Sequence, residues 1–326
     1  MNRRTFLGAL TASLIAARDV GEGQQAAGKV WRIGYLSPGE AHNPIEQVFE
    51  KSMKDLGYVE GQNIRLERRY SQQPAALPRL AVELVSLGVD VLVVWSPVGA
   101  LAAKQATTDR PVIFLAVGDP VSFGLVSTEA KPGGNLTGVS FDVSQEIYAK
   151  TLQLLKETIP TLRKVALLIS SEIPQPKSRR MLQAAAKELK LQLQEVVVTA
   201  PAELEVAIRN AKDQGAQALQ ILPSGLAYSF RKQLADLALS YRLASIHPFR
   251  EGVVAGGLLS YAASLAGIAE RGAVYVDKIL KGAIPGDLPV EQPTKFELLI
   301  NLKTAKALAL TIPPSVLASA DQVIDP

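Results

Sequence analysis

The chain has 326 residues, of which 48% are hydrophobic and 20% charged, with 24 glycines and 20 prolines. This balance excludes a disordered or collagen-like chain, and the length suggests about two domains. The net charge is only +4, and no run of lysine and arginine exceeds two residues. Nucleic-acid binding requires a clustered basic face, so we do not expect nucleic acid as a partner.

The chain contains no cysteine and only two histidines, His42 and His247. The absence of cysteine excludes disulfides, thiolate metal sites, thiol catalysis and a cysteine-linked lipid anchor. The two histidines lie far apart in sequence and lack metal-ligand spacing, so we expect no metal site. No G-x-G-x-x-G follows a predicted strand, and we therefore expect no cofactor.

The first residues have the pattern of an export signal. Residues 2–18 (NRRTFLGALTASLIAAR) contain a twin arginine, Arg3-Arg4, followed by a short apolar stretch and small residues. This order is typical of a twin-arginine-like secretory signal, and the apolar stretch is too short to span a bilayer. We assign residues 1–28 to the signal peptide and expect an exported, periplasmic protein without a lipid anchor.

From residue 31, short apolar runs alternate with amphipathic segments, which indicates an α/β protein with parallel sheets covered on both faces. Strands are predicted at 31–36, 63–70, 89–95 and 112–116, and helices at 45–56, 77–87 and 100–106.

The same alternation begins again after residue 140. Helices are predicted at 147–156, 180–189, 202–212 and 230–240, and strands at 164–169, 193–198 and 216–222. Residues 271–281 are predicted to be helical and 295–302 to form a strand. Residues 84–97 and 208–224 share the same order of features: the end of a predicted helix, a glycine that terminates it, an apolar strand, and proline and serine after the strand. This repeat predicts two lobes of one architecture.

The candidate site residues follow the predicted strands, because ligands of open parallel sheets bind outside the carboxyl ends of the strands. The segments that follow the strands consist mostly of glycine and of small residues with hydroxyl groups, and they include one carboxylate. The candidate residues in them are Ser37, Ser96, Asp119, Ser170 and Ser224. They offer hydrogen bonds and helix N-terminal amides suited to an anion, but little reactive chemistry. Asp119 could in principle act as a general base, although no nucleophile lies near it in sequence. We therefore predict no catalytic residues.

From residue 30 nearly to its end, the chain resembles a bacterial family of ABC-transporter substrate-binding proteins that includes tryptophan/tyrosine-import binding proteins. Seven segments carry the resemblance: RIGYLSPG (32–39), LGYVEGQNIRLERRY (56–70), LAVELVSLGVDVLVV (80–94), VGDPVSFGLV (117–126), PGGNLTGVS (132–140), YVDKILKGAIPGDLPVEQPTKFELLINLKTAKAL (275–308) and TIPPSVLASADQVI (311–324).

The resemblance implies the type I periplasmic binding protein fold, with two doubly wound parallel-sheet lobes joined by a three-crossover hinge. The crossovers would fall near 138–141, 258–261 and 284–289. The N-terminal lobe would then comprise residues 29–138 plus 262–285, and the C-terminal lobe 139–261 plus 286–326. Such lobes close around a ligand by hinge motion.

The resemblance also places the ligand between the lobes. Ser37, Ser96 and Thr137 would then donate hydroxyl groups to a carboxylate or polar head, and Asp119 would hold an ammonium group. Contacts from the second lobe would come from Ser170, Ser224 and Glu251, and an apolar portion could stack on Phe249, Tyr261 or Trp95.

The predicted function is a periplasmic receptor that captures a small molecule, such as an amino acid or a related organic anion. It would act as a monomer and deliver the ligand to an ABC permease with its ATPase. One alternative is an exported enzyme that uses Asp119 and His247 across the cleft. Another is a sensory subunit that presents the ligand to a membrane receptor.

Overall fold

The computed structural model describes residues 29–141, 145–171 and 176–325. The predicted export signal lies outside the described residues. Within them, no helix is both long and apolar enough to cross a membrane.

The first sheet has five strands in the order β2-β1-β3-β4-β5, all parallel. Its strands are β1 (Trp31–Ser37), β2 (Ile64–Tyr70), β3 (Val91–Trp95), β4 (Val112–Val117) and β5 (Leu136–Ser140). The helices between them are α1 (Pro44–Asp55), α2 (Leu77–Ser86) and α3 (Ser96–Ala106). All five residues of β3 are buried, because helices cover the sheet on both faces.

The second sheet has seven strands in the order β12-β11-β10-β9-β8-β6-β7. These are β6 (Lys164–Ser170), β7 (Gln192–Val198), β8 (Ala218–Ile221), β9 (Ala244–His247), β10 (Leu259–Ala263), β11 (Phe296–Asn301) and β12 (Gln322–Ile324). The helices that accompany it are α4 (Gln145–Thr158), α5 (Pro176–Glu188), α6 (Leu204–Asp213), α7 (Gly225–Ser229), α8 (Arg231–Ser240), α9 (Arg250–Val254), α11 (Leu302–Ala307) and α12 (Pro314–Ala318).

The chain passes between the sheets twice after residue 258. Helix α10 (Leu265–Leu280) follows β10 of the second sheet but packs against α1 and β4 of the first. The chain then returns through residues 281–295 to β11, which is antiparallel to β10, whereas the other strand pairs of this sheet are parallel.

The predicted two-lobed α/β fold is confirmed, and so is the helix predicted over 230–240, which is α8. The structure differs locally at two strand ends. Ser96 and Pro97 form the first turn of α3, which was predicted to begin only at residue 100. A short helix that the sequence did not predict, α7, precedes α8 and has Ser224 as its N-cap. Pro97 fits the first turn of α3 because its missing N–H has no helical acceptor there.

Candidate ligand-binding site

A cavity of about 220 Å³ lies between the two sheets, at the carboxyl ends of their strands. The first sheet contributes the ends of β1, β3 and β4, and the second contributes residues beyond β6, β8 and β9. A cavity of this size is smaller than most drug-binding pockets and therefore suits one small metabolite.

The N-terminal residues of five helices line this cavity, because each helix follows a strand that ends there. They belong to α1, α3, α5, α7 and α10. The dipoles of these helices direct partial positive charge at the cavity, which favours an anionic group on the ligand.

Three predicted hydroxyl groups, those of Ser37, Ser96 and Ser224, line the cavity. Each oxygen accepts a hydrogen bond from a nearby backbone N–H: Gly39 at 3.2 Å, Gly99 at 3.3 Å and Ala227 at 3.0 Å, respectively. Because these oxygens serve as acceptors, each hydroxyl proton is left to donate to a ligand.

Three residues that line the cavity have a strained backbone. Ser96 (φ 72°), Ala116 (φ 57°) and Asp119 (φ 48°) line it, and all three lie in the left-handed region that favours glycine. Non-glycine residues hold such conformations only where the surrounding structure imposes them, which is common at ligand clamps.

Asp119 supplies the predicted carboxylate. Its two oxygens accept hydrogen bonds from the Ser122 backbone N–H (3.2 Å) and the Ser122 hydroxyl (2.6 Å), which hold the side chain in place. Across the cavity, Lys177 Nζ lies 4.0 Å from Asp119 Oδ2. An anion from one sheet and a cation from the other therefore lie side by side.

Aromatic rings form the remaining walls. The Phe249 ring lies 5.3 Å from that of Phe141 and 5.9 Å, edge to face, from that of Tyr228. Burial raises the pKa of Tyr228 to about 12, so its hydroxyl stays protonated. Tyr35 and Trp95 line the cavity from the first sheet.

Four of the predicted contacts do not line the cavity. The Thr137 hydroxyl donates instead to the carbonyl oxygen of Leu288 at 2.7 Å, and the Tyr261 ring packs on Phe296 at 6.1 Å. Ser170 is buried at the end of β6. Glu251, in the first turn of α9, is half-buried with its Oε2 atom buried, and desolvation raises the pKa of its carboxyl group.

The structure adds lining residues that the sequence patterns did not single out, including Tyr35, Asn43, Tyr148, Lys177 and Tyr228. Lys177 and Tyr228 lie in the first turns of helices that follow strands. The rule that selected the strand tips would have reached them if it had extended one helical turn further.

His247 does not share the cavity with Asp119. The residue is 2% exposed, and a Cβ added at Gly252 or Gly257 would come within 2.4 Å of its side chain. Its Nε2 lies 3.2 Å from Ser245 Oγ, and burial lowers the pKa of the imidazole to about 4. The acid–base pair of the enzyme alternative is therefore not assembled at the cavity.

Among the described residues, His42, Glu46 and Glu50 form a group with metal-ligand spacing. Arg68 occupies the position of a cation in this group, with Nε 2.9 Å from Glu46 and Nη2 2.5 Å from Glu50. The guanidinium group therefore already balances part of the acidic charge of these carboxylates.

The two lobes and the cavity between them define the class of protein, which is a binding protein of the periplasmic type I fold. A family model described as ABC transporter substrate binding protein matches residues 37–324, so the chain belongs to that family. It is accordingly a solute receptor for an ABC transporter, and the resemblance seen in the sequence is confirmed. Proteins of this family are extracellular or periplasmic, bind small molecules and work with a permease.

One curated relative and three solved structures illustrate the similarity. The tyrosine-binding protein of Clostridioides difficile (strain R20291) is 29% identical over 262 residues, which are 80% of this chain and 75% of that protein. A conserved domain protein from Vibrio cholerae matches 90% of this chain and 100% of its own, at 26% identity and a TM-score of 0.84.

The second structure is an ABC domain in complex with L-Trp from Streptococcus pneumonia. It matches 90% of this chain and 99% of its own, at 26% identity and a TM-score of 0.82. The third is the ligand-free, open structure of a substrate-binding protein from Clostridium difficile, which matches 91% of this chain and 100% of its own, at 24% identity and a TM-score of 0.64.

Proposed function

We propose that the cavity binds one aromatic amino acid, or a close relative of one, for delivery to an ABC permease. The observation that carries this proposal is the pairing of aromatic walls with the adjacent charges of Asp119 and Lys177, 4.0 Å apart. A zwitterionic α-amino acid carries an ammonium and a carboxylate at a similar separation. The tyrosine-binding relative and the L-Trp complex support the same ligand class.

In this proposal, the ligand ammonium group pairs with Asp119, and its carboxylate pairs with Lys177 and with hydroxyl donors at the helix N-termini. The ring lies among Trp95, Phe141 and Phe249. Charged groups and rings from both sheets contact the same molecule, so binding favours the closed arrangement of the lobes.

We also propose the lobe boundaries and the location. Residues 29–138 plus 262–285 would move as one lobe, and 139–261 plus 286–326 as the other. The packing of α10 on α1 and β4 supports the assignment of 262–285 to the first lobe. The twin-arginine pattern of residues 2–18 supports export to the periplasm, where we propose a monomeric and non-catalytic receptor.

Calorimetry with the twenty common amino acids tests the ligand class. We expect one aromatic amino acid bound per chain, with a rise in thermal stability that follows ligand excess over Kd.

Asp119→Asn removes the negative charge but keeps a side chain that tolerates the left-handed backbone at this position. The substitution should weaken binding by about 10- to 100-fold.

Asp236→Asn is the matched control, because Asp236 pairs with Lys232 on the exposed face of α8. It should bind as tightly as the wild type. Absence of amino acid binding, or an Asp119→Asn variant that binds normally, would contradict the proposed function.

A further inference from the structure

The Tyr35 side chain presents a hydroxyl group to the cavity. Its ring is held by Phe49 at 5.5 Å and Tyr70 at 6.4 Å, and the residue is 2% exposed. Tyr35 lines the cavity. A phenolic hydroxyl at a cavity wall can donate its proton to a ligand or to water.

Trp95 lies beside Tyr35, on the neighbouring strand of the sheet. It is 7% exposed, lines the same cavity and interacts with the Tyr35 hydroxyl. Within the described part of the chain, its indole N–H has no hydrogen-bond partner of normal geometry. Because an indole N–H can only donate, its approach to the Tyr35 oxygen leaves the phenolic proton to point elsewhere. Burial raises the pKa of Tyr35, so that proton is retained.

The charge behind Tyr35 disfavours an anionic partner. Glu46 is 1% exposed and accepts hydrogen bonds from Tyr70 and Arg68. Arg68 also pairs with Glu50 and Glu60, so one guanidinium group faces three carboxylates. The resulting excess of negative charge favours a neutral acceptor at the Tyr35 hydroxyl over a carboxylate.

The sheet order places this donor away from the charged end of the cavity. Tyr35 is on β1 and Asp119 follows β4, and β3 lies between these two strands. The carboxyl ends of β1 and β4 are therefore two strand spacings, or about 10 Å, apart. An amino acid whose head is at Asp119 and Lys177 would therefore direct the far end of its ring toward Tyr35.

We infer that the Tyr35 hydroxyl, oriented by the Trp95 indole, selects ligands that carry a neutral hydrogen-bond acceptor at the end remote from their charged head. A phenolic oxygen is such an acceptor. This inference rests on the proposed function and adds to it a specificity-determining residue.

The test measures Kd by calorimetry for two pairs of probes. One pair is L-tyrosine and L-phenylalanine, and the other is 4-hydroxyphenylpropionate and phenylpropionate, which lack the ammonium group. Wild type should bind the hydroxylated member of a pair about tenfold more tightly. Tyr35→Phe should abolish this preference by weakening only the hydroxylated probe, and Trp95→Phe should reduce it.

Tyr70→Phe is the control, because the Tyr70 hydroxyl donates to Glu46 and does not line the cavity. It should retain the preference. Equal binding of both members by wild type, or an unchanged preference in Tyr35→Phe, would overturn the inference while leaving the proposed function standing. If only the propionates bind and the hydroxyl preference persists, the amino acid proposal fails and the Tyr35 role stands. Binding of no probe overturns both.

Discussion

At the residue scale, His247 shows how completely burial can determine the state of a side chain. The ring fills the space left by Gly252 and Gly257, where a Cβ on either residue would collide with it. Desolvation by this burial lowers the pKa of the imidazole from 6.5 to about 4. The folded protein therefore holds this histidine neutral above about pH 4.

This burial predicts a loss of stability in mild acid. Between about pH 6.5 and pH 4, the unfolded chain binds a proton at His247 and the folded chain does not, so the free energy of unfolding falls as pH decreases. The full effect is about 3 kcal/mol. Urea unfolding at pH 7.5 and pH 4.5 should therefore show a weaker pH dependence for His247→Gln than for wild type. Parallel pH profiles for the two proteins would contradict this prediction.

At the element scale, β5 depends on a close contact with the segment that returns from α10. Gly138 O accepts from Glu291 N at 3.0 Å, and Ser140 N donates to Glu291 O at 2.8 Å. Arg271 on α10 holds Glu291 through two hydrogen bonds of 2.6 Å. On its other side, Gly138 lies against β4, where an added Cβ would be 1.9 Å from Phe114 O.

Gly138→Ala should therefore destabilise the fold strongly. Backbone atoms cannot move aside as a flexible side chain can, so we expect a loss of about 3 kcal/mol in the free energy of unfolding. Gly134→Ala is the matched control, because a Cβ there meets nothing within 4 Å, and its effect should stay within about 0.5 kcal/mol. Similar midpoints of urea unfolding for the two variants would refute this account of β5.

For the molecule as a whole, few polar contacts between described residues join the two sheets across the cavity. The Ser229 hydroxyl on α7 donates to Pro38 O, after β1, at 3.0 Å, and Lys177 approaches Asp119. Lobes that are joined across the cavity by few contacts separate easily, so ligand binding can shift the balance between open and closed forms.

Ser229→Ala removes one contact between the lobes at a residue that does not itself line the cavity. We expect the affinity for the transported ligand to fall by about 2- to 10-fold, because part of the binding free energy must replace the lost hydrogen bond. Small-angle scattering should show a larger radius of gyration for the ligand-free variant than for wild type. Ser240→Ala, which removes a bond within α8, serves as the control and should change neither quantity.

Local patterns in the amino-acid sequence were enough to predict the alternation of strands and helices, the repeat of one architecture and the edge of each sheet that faces the cavity. These features depend on periodicity and on glycine stops such as Gly88 and Gly215, which both adopt positive φ. For the same reason, Ser37, Asp119 and Ser224 could be selected as cavity residues from their positions after predicted strands.

Which of the selected side chains face the cavity depends instead on how the two sheets and the returning segment pack together. The Thr137 hydroxyl donates to the Leu288 carbonyl of the returning segment, and the Tyr261 ring packs on Phe296 within the second sheet. Lys177 and Tyr35 were not selected from the sequence, and the packing of the two sheets brings both of them to the cavity. The direction of a side chain and its partner across a cleft are set by contacts between segments far apart in sequence, which local patterns do not encode.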